Sequence, residues 1–373
     1  MHGTLARIES IACPKRLRAL RPEWEDLAAA SAEPNMFMEP MAVLPALDYP
    51  DADGVVTLAC WSAGPGGGRR LDGMLILKPW ARSPLLPRTL ESWSYRLRAS
   101  GDPLIRQGCE RTFWSAMLPA IDRLPGTSAL RLAQLRGDGA PARALIEVAR
   151  TLGRAVYQTR CIERASLAGG GSREAYLKRL PQKALREQRR RRKRLEELGP
   201  VTVRQLGPAE DPQPWIEAFL ALEAAGWKGR RGVAAASEPH VERLVRSILA
   251  ESHAAGRLDM LRLDVSGRPI SMLAHIRSGR TAISFKIAYD EAYARFSPGV
   301  LLQMEWLQAG LALDGTDSCA VPGHPMFESL WLERRPIVTL MVPADRPLAR
   351  FACAAEQRLR ALHAKLRRRS TRA

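Results

Sequence analysis

The stretch Phe285 to Leu302, FKIAYDEAYARFSPGVLL, concentrates groups that could do chemistry. It reads as a strand running into a polar loop, followed by Ser297-Pro298-Gly299 at the opening of a helix. Serine is a good N-cap and proline is favoured in the first helical turn. Glycine at 299 removes a side chain where a ligand would approach the backbone. The N–H groups and dipole of such a helix end suit a phosphate, although an ordinary capped helix has the same sequence. Tyr289, Asp290 and Glu291 stand where the strand enters the loop. Asp317 and His324 lie at and after the next strand. Groups of this kind can move a proton when their pKa is tuned, and backbone N–H groups can hold an oxyanion. Each residue also has a purely structural reading. Tyr289 alternates with inward strand positions, Asp290 and Glu291 fit a solvated loop, and His324 between Gly323 and Pro325 fits a turn. A lone Cys319 in a strand reads as a small buried hydrophobe.

Two further features could line a site. Trp227-Lys228-Gly229-Arg230 follows a helix and its Gly226 C-cap. It is either a loop anchored by its tryptophan or a segment over a pocket, with Lys228 or Arg230 meeting an anion. Lys286 inside a strand either points to solvent or lines a groove. The six histidines are isolated from one another, and the six cysteines form no CxxC or CxxH pair. No metal, structural zinc or disulfide framework is expected.

The elements that must hold these residues follow from periodicity and turn chemistry. Leu258–Val265, Pro269–Ser278 and Thr281–Tyr289 read as successive antiparallel strands, with hairpin turns at Ser266-Gly267 and Ser278-Gly279. Helices are expected at 215–225, 240–255, 300–313 and 327–333, and strands at 201–206, 317–321 and 337–342. In the first part of the chain, strands are expected at 55–61, 71–77, 93–97, 130–132 and 155–162. Helices are expected there at 17–30, 110–124 and 142–152. Gly169-Gly170-Gly171 reads as a flexible joint, Ser172 as an N-cap, and Pro181 as a break in the helix that continues to Leu198.

Three ordered stretches resemble the CelD-like branch of the GNAT acyltransferases, related to the FemAB-type transferases. They are LEAAGWKGRRG (222–232), FKIAYDEAYARFSPGVLL (285–302) and DSCAVPGHPMFESLWLERRPI (317–337). The resemblance implies an α+β fold of tandem GNAT-like domains, each a mixed, mostly antiparallel sheet flanked by helices. Its implied layout is a degenerate N-terminal domain (1–165), a basic connecting helix (166–199), the acyltransferase domain (200–345) and a basic tail (346–373). The internal order strand, Asp loop, helix, strand recurs at 95–132 and 285–321. The resemblance further implies acetyl-CoA or a longer acyl-CoA as donor and a small amine or sugar-amine as acceptor. The donor would be held by Arg295, Phe296, Ser297, Pro298, Gly299 and Val300. The acceptor would meet Trp227, Lys228, Lys286, Asp317 and Trp331, and catalysis would fall to Tyr289, Asp290, Glu291 and His324. The usual Q/R-x-x-G-x-G/A loop is absent. A Tyr-Lys-x-x-Trp element is also missing where Phe327, Glu328 and Trp331 stand. Envelope or exopolysaccharide biosynthesis is the implied setting. The alternatives are an aminoacyl transferase using charged tRNA and a non-catalytic basic docking protein.

Composition sets the outer limits. The chain has 373 residues, 46% hydrophobic and 26% charged, which suits a globular protein of two domains. No apolar run approaches the ~18 residues of a membrane span. No basic flank followed by an apolar segment marks a secretory leader, so a cytoplasmic or membrane-peripheral location is expected. The net charge is +18, from 57 basic and 39 acidic residues. Residues 178–194 carry net +9 and residues 346–373 net +8, so the rest of the chain is close to neutral. These two segments are the expected contacts for an acidic partner, tRNA or an anionic membrane surface.

Overall fold

The computed structural model describes residues 6–80 and 88–370. They divide into two compact units. The first comprises residues 1–40, 50–162 and 336–373, and the second residues 41–49 and 163–335.

The strands in chain order begin with β1 (Arg7–Ile11), β2 (Val56–Ala63), β3 (Arg69–Trp80), β4 (Arg88–Ser92), β5 (Leu104–Ile105) and β6 (Thr127–Arg136). They continue with β7 (Tyr157–Ala168), β8 (Val201–Gln205), β9 (Leu258–Val265), β10 (Arg268–Ser278), β11 (Thr281–Tyr289), β12 (Gly315–Asp317) and β13 (Glu333–Pro343).

In the first unit the strand order is β1-β2-β3-β4-β6-β13, with β5 alongside β3. β4 and β6 run parallel, and the other neighbours on that path are antiparallel. Helices Glu110–Asp122 and Ala140–Thr151 pack Phe113, Trp114, Met117, Leu145 and Val148 onto Leu75, Leu130 and Leu132 of the sheet. The expected strand at 93–97 is instead a loop, and the strand lies earlier, at β4. Trp93 and Tyr95 are buried there, and the Tyr95 hydroxyl donates to the Phe37 carbonyl at 2.8 Å. Trp93 N–H still donates to the Ile76 carbonyl of β3 at 2.9 Å, but the β-prone side chains beyond it serve burial in a loop. The expected helix over 17–30 divides into Pro14–Ala19 and Arg21–Ala29, because Pro22 cannot donate into a continuous ladder.

In the second unit the order is β8-β9-β10-β11-β12, closed by Ser166–Ala168 of β7. β11 and β12 run parallel and the remaining neighbours antiparallel. Ser266 and Gly267 both take positive φ in the β9–β10 turn, as a primed hairpin requires. The next turn is Gly279-Arg280, one residue later than expected. The strand expected over 317–321 is confined to β12, because Cys319 at φ 52° leaves extended geometry. In the Gly169–Gly171 stretch a Cβ on Gly169 would lie 1.7 Å from the Leu313 oxygen and Gly170 N–H donates to the Leu311 carbonyl at 2.9 Å, while Gly170 and Gly171 are exposed at positive φ. Ser172 caps the Arg173–Arg179 helix through Ala175 N–H, and Pro181 separates it from helix Gln182–Glu196. Helix Pro298–Leu311 lays Leu301, Leu302, Trp306 and Leu307 against the sheet.

Candidate functional site

The site begins with a defect in a strand. Ala274 of β10 pairs with Lys286, whereas His275 pairs with Ser284, so Phe285 is an extra residue on β11. Such a bulge bends its strand. On its other edge β11 pairs with β12 only from Thr281 to Ile283. β12 ends there, so no strand pairs with this edge of β11 from Ser284 to Tyr289 among the described residues. Asp290 N–H donates to the Ile270 carbonyl at 2.8 Å. Antiparallel alternation then turns the backbone groups of Ile287 and Tyr289 away from β10, toward the opening.

That opening is a cleft of about 500 Å³ within the second unit. Leu222, Ile287, Ala288, Val300 and Met326 make its apolar wall, and Gln188, Arg191, Glu223, Lys228, Tyr289 and His324 its polar groups. The start of helix Pro298–Leu311 enters it through Ser297, Pro298, Gly299 and Val300. Gly299 packs closely: a Cβ there would sit 2.9 Å from Ile287 Cδ1, the end of a side chain that would have to shift. Ser297 is left-handed (φ 51°, ψ 56°) directly before a proline, a conformation that costs on the order of 1–3 kcal/mol. Its hydroxyl does not cap the helix as expected. It accepts from the Arg191 guanidinium instead. The helix start therefore carries no side-chain cap and has an arginine beside it.

Glu223 is the electrostatic centre of the cleft. It is 2% exposed, on the face of helix Gln213–Ala225 that buries Trp215, Ile216, Phe219 and Leu220. Its Oε1 accepts from Lys228 Nζ at 2.9 Å and Lys286 Nζ at 2.8 Å, and its Oε2 from Ala235 N–H at 2.8 Å. Burial alone would raise its pKa, but the two ammonium groups and these hydrogen bonds outweigh burial and hold the carboxyl below its ordinary value. Two cations against one buried carboxylate leave an excess positive charge at this wall. Lys228 also donates to the Ile287 carbonyl at 3.0 Å, which ties it to β11. The Trp227–Arg230 turn can lie this close to the preceding helix only because residue 229 is glycine; a Cβ there would be 1.7 Å from the Ala224 oxygen.

The sequence-selected residues fall into two groups. Trp227, Lys228, Tyr289, Ser297, Pro298, Gly299, Val300 and His324 line the cleft, and Lys286 reaches its Glu223. The His324 imidazole is held below the ordinary histidine pKa, first by burial and then by the nearby Lys228 charge, so it is neutral at pH 7. The other group holds the frame. Asp290 accepts from Ala292 N–H at 3.0 Å and pairs with Arg268 at 2.9 Å. Glu291 accepts from Trp227 N–H at 2.6 Å, and the Arg230 guanidinium beside it holds its carboxyl below the usual range. Asp317 accepts from Cys319 N–H at 2.7 Å and pairs with buried Arg164. Arg295 is exposed, its guanidinium over the Phe296 ring, while Phe296 and Trp331 are buried in the core.

Sequence reasoning missed Glu223, Gln188 and Arg191. Glu223 had a readable signal, an acid on the apolar face four residues after Phe219. Gln188 and Arg191 belong to helix Gln182–Glu196, where a run of arginines hides the ones that turn inward.

Residues 182–320 match the family described as Acetyltransferase (GNAT) domain, a span that includes the arginine-rich helix. No curated protein sequence matches the chain. Among solved structures, a conserved protein of unknown function from Bacteroides thetaiotaomicron VPI-5482 aligns at TM-score 0.55 and 11% identity, covering 87% of this chain and 97% of that one. FemX aligns at TM-score 0.55 and 10% identity, covering 90% and 96%. A C-terminal DUF2156 domain from Agrobacterium fabrum aligns at TM-score 0.52 and 10% identity, covering 90% and 95%. At these identities the likeness is one of fold. β11, β12 and the helix that opens beside them lie within the stretch that matches this family, and the chain has a GNAT-type fold.

Proposed function

We propose that the protein is an N-acyltransferase that moves an acetyl or longer acyl group from coenzyme A to an amine in the β11–β12 cleft. The observation that carries this reading is the apolar cleft beside the edge of β11 that β12 leaves uncovered, lined by outward backbone groups of β11 and with an uncapped helix start at one side. The residues present suit such a donor. Apolar Ile287, Ala288, Val300 and Met326 would pack its chain, and the helix start with Arg191 would meet its phosphates. Coenzyme A would supply a thioester, an acyl group on a good leaving group. The chain supplies the rest. A β11 N–H would polarise the acyl carbonyl, neutral His324 would take the proton from the attacking amine as the C–N bond forms, and the C–S bond would break to release the coenzyme A thiolate, which takes up a proton, while Lys228, fixed by Glu223 and Ile287, would orient the acceptor. A small-molecule amine or sugar-amine of envelope or exopolysaccharide synthesis, as in the CelD-like branch, is the acceptor class, and the reaction is on the cytoplasmic side. Titration calorimetry with acetyl-CoA and longer acyl-CoAs, followed by mass spectrometry of an amine pool, tests the reading. Saturable binding and an acylated product are expected; no binding to any acyl-CoA defeats it.

One observation favours a second donor. Arg191 and Gln188 of the basic helix line the cleft, so an aminoacyl-tRNA could present its acyl end there with its phosphates along the helix. Salt-sensitive tRNA binding that weakens when Arg189, Arg190 and Arg192 are neutralised would identify it.

A further inference from the structure

The last helix, Pro347–Ser370, has two unlike faces. One is anchored: Ala349 is buried, and Cys353 packs with Ala129, Met341 and Tyr157 of the first unit. The other is bare. Leu348 is 83% exposed, Phe351 74% and Leu359 57%. With Ala355 between them, they follow 3-4-4 spacing, which places them in one row along a helix. In the sequence the same spacing continues to Leu362 and Leu366. Large apolar side chains rarely stand exposed in a contiguous row unless something covers them.

Charge identifies the cover. Between Pro347 and Ser370 there are seven Lys or Arg residues and a single acid, Glu356. A second copy of this helix would place arginine against arginine. A nucleic acid would satisfy the charge and leave leucine and phenylalanine in water. An anionic lipid surface satisfies both, because it takes the apolar row below its headgroups while the cations meet its phosphates. No helix of the described residues is long and apolar enough to cross a membrane. We infer that Pro347–Ser370 docks the protein on an anionic lipid bilayer, lying in the plane of its surface.

Co-sedimentation of the full chain with vesicles tests this. Three compositions are used: phosphatidylcholine alone, a 70:30 mixture with phosphatidylglycerol, and that mixture in 0.5 M salt. Binding is expected to the mixture at low salt, with at least a tenfold weaker association in the other two. The double variant Phe351→Glu, Leu359→Glu should lose binding more than tenfold. These positions are exposed, so its melting temperature should stay that of the native chain, which separates docking from folding. Equal binding to neutral and anionic vesicles, no binding to either, or full binding by the variant overturns the inference. So does a native dimer in sedimentation equilibrium that this variant dissolves, since the row would then belong to a second copy.

Discussion

The two units share one sheet plan and use it differently. In each, three antiparallel steps lead to a parallel pair, β4/β6 in the first and β11/β12 in the second, and a helix follows the fourth strand of the path. In the first unit the chain fills the space beside β6 itself. Ala133 N–H donates to Ser92 Oγ at 3.0 Å and Gly101 N–H to the Gln134 carbonyl at 2.9 Å. Asp102, 0% exposed, accepts from Arg136 N–H at 3.0 Å, Arg136 Nε at 2.9 Å and Ser100 Oγ at 2.8 Å. A Cβ on Gly101 would lie 1.9 Å from the Ala133 oxygen, so the plug is tight. In the second unit the matching aspartate, Asp290, caps a turn and pairs with the exposed Arg268, and the opening stays a cleft. A duplicated plan can thus keep its sheet while one copy turns its ligand space into core.

The contrast can be broken at several points, in order of expected effect. Asp102→Ala removes the fully buried carboxylate from Arg136, which keeps its pair with Glu33, and should cost about 3 kcal/mol of stability. Chemical denaturation measures it; acyl-CoA affinity of the folded variant should not change, and a change would mean that the plugged unit also takes ligand. His324→Ala should lower kcat roughly 10²–10³-fold, the scale of a general base. In the native enzyme the acid limb of the rate profile should lie below the ordinary imidazole range, because the folded pKa is lowered. Loss of that limb in the variant would identify the group, and unchanged turnover would dismiss it. His275, stacked on Trp306 at 3.8 Å, is pushed down to about 3 by burial. Between about pH 6.5 and 3 the unfolded chain therefore holds the extra proton, and stability falls as pH falls through that window, by about 3 kcal/mol at pH 4. Among the described buried residues only the second unit has a histidine, so acid should loosen that unit first, and His275→Phe should flatten the limb. Hydrogen exchange at pH 4 and 7 reads both. Gly299→Ala pushes on Ile287 and should weaken donor binding roughly tenfold, the smallest effect of the four.

Much of the frame was legible. β9 and β11 match their expected bounds because alternating apolar residues and Gly-bearing turns state both period and register. Ser172 and Pro181 announced their helix boundaries through capping and a missing donor. The helix opening at 298 and the Trp-Lys-Gly turn were visible as motifs. The illegible part was relational. Nothing local says that Glu223 would gather Lys228 and Lys286, or that Arg191 among its neighbours would turn onto Ser297. Nor does the composition of residues 93–97 distinguish a strand from a buried loop, since both select Trp and Tyr. Lys228 is only five residues from Glu223, but the other partners lie far away in sequence, as with the 63 residues between Glu223 and Lys286.

The first unit's closing strand has a consequence for synthesis. Ile337, Val338, Leu340 and Val342 of β13 pair with Arg136, Leu135, Leu132 and Leu130, and three of the four lie in that unit's core. At about 5–20 residues per second, a ribosome needs roughly 10–40 s to travel from one partner to the other. Through that interval the open edge of β6 is exposed, while residues 163–335 emerge as a nearly continuous stretch. The unit made first is therefore the one completed last, and a nascent chain cut short before 337 would present a sticky sheet edge to chaperones and proteases.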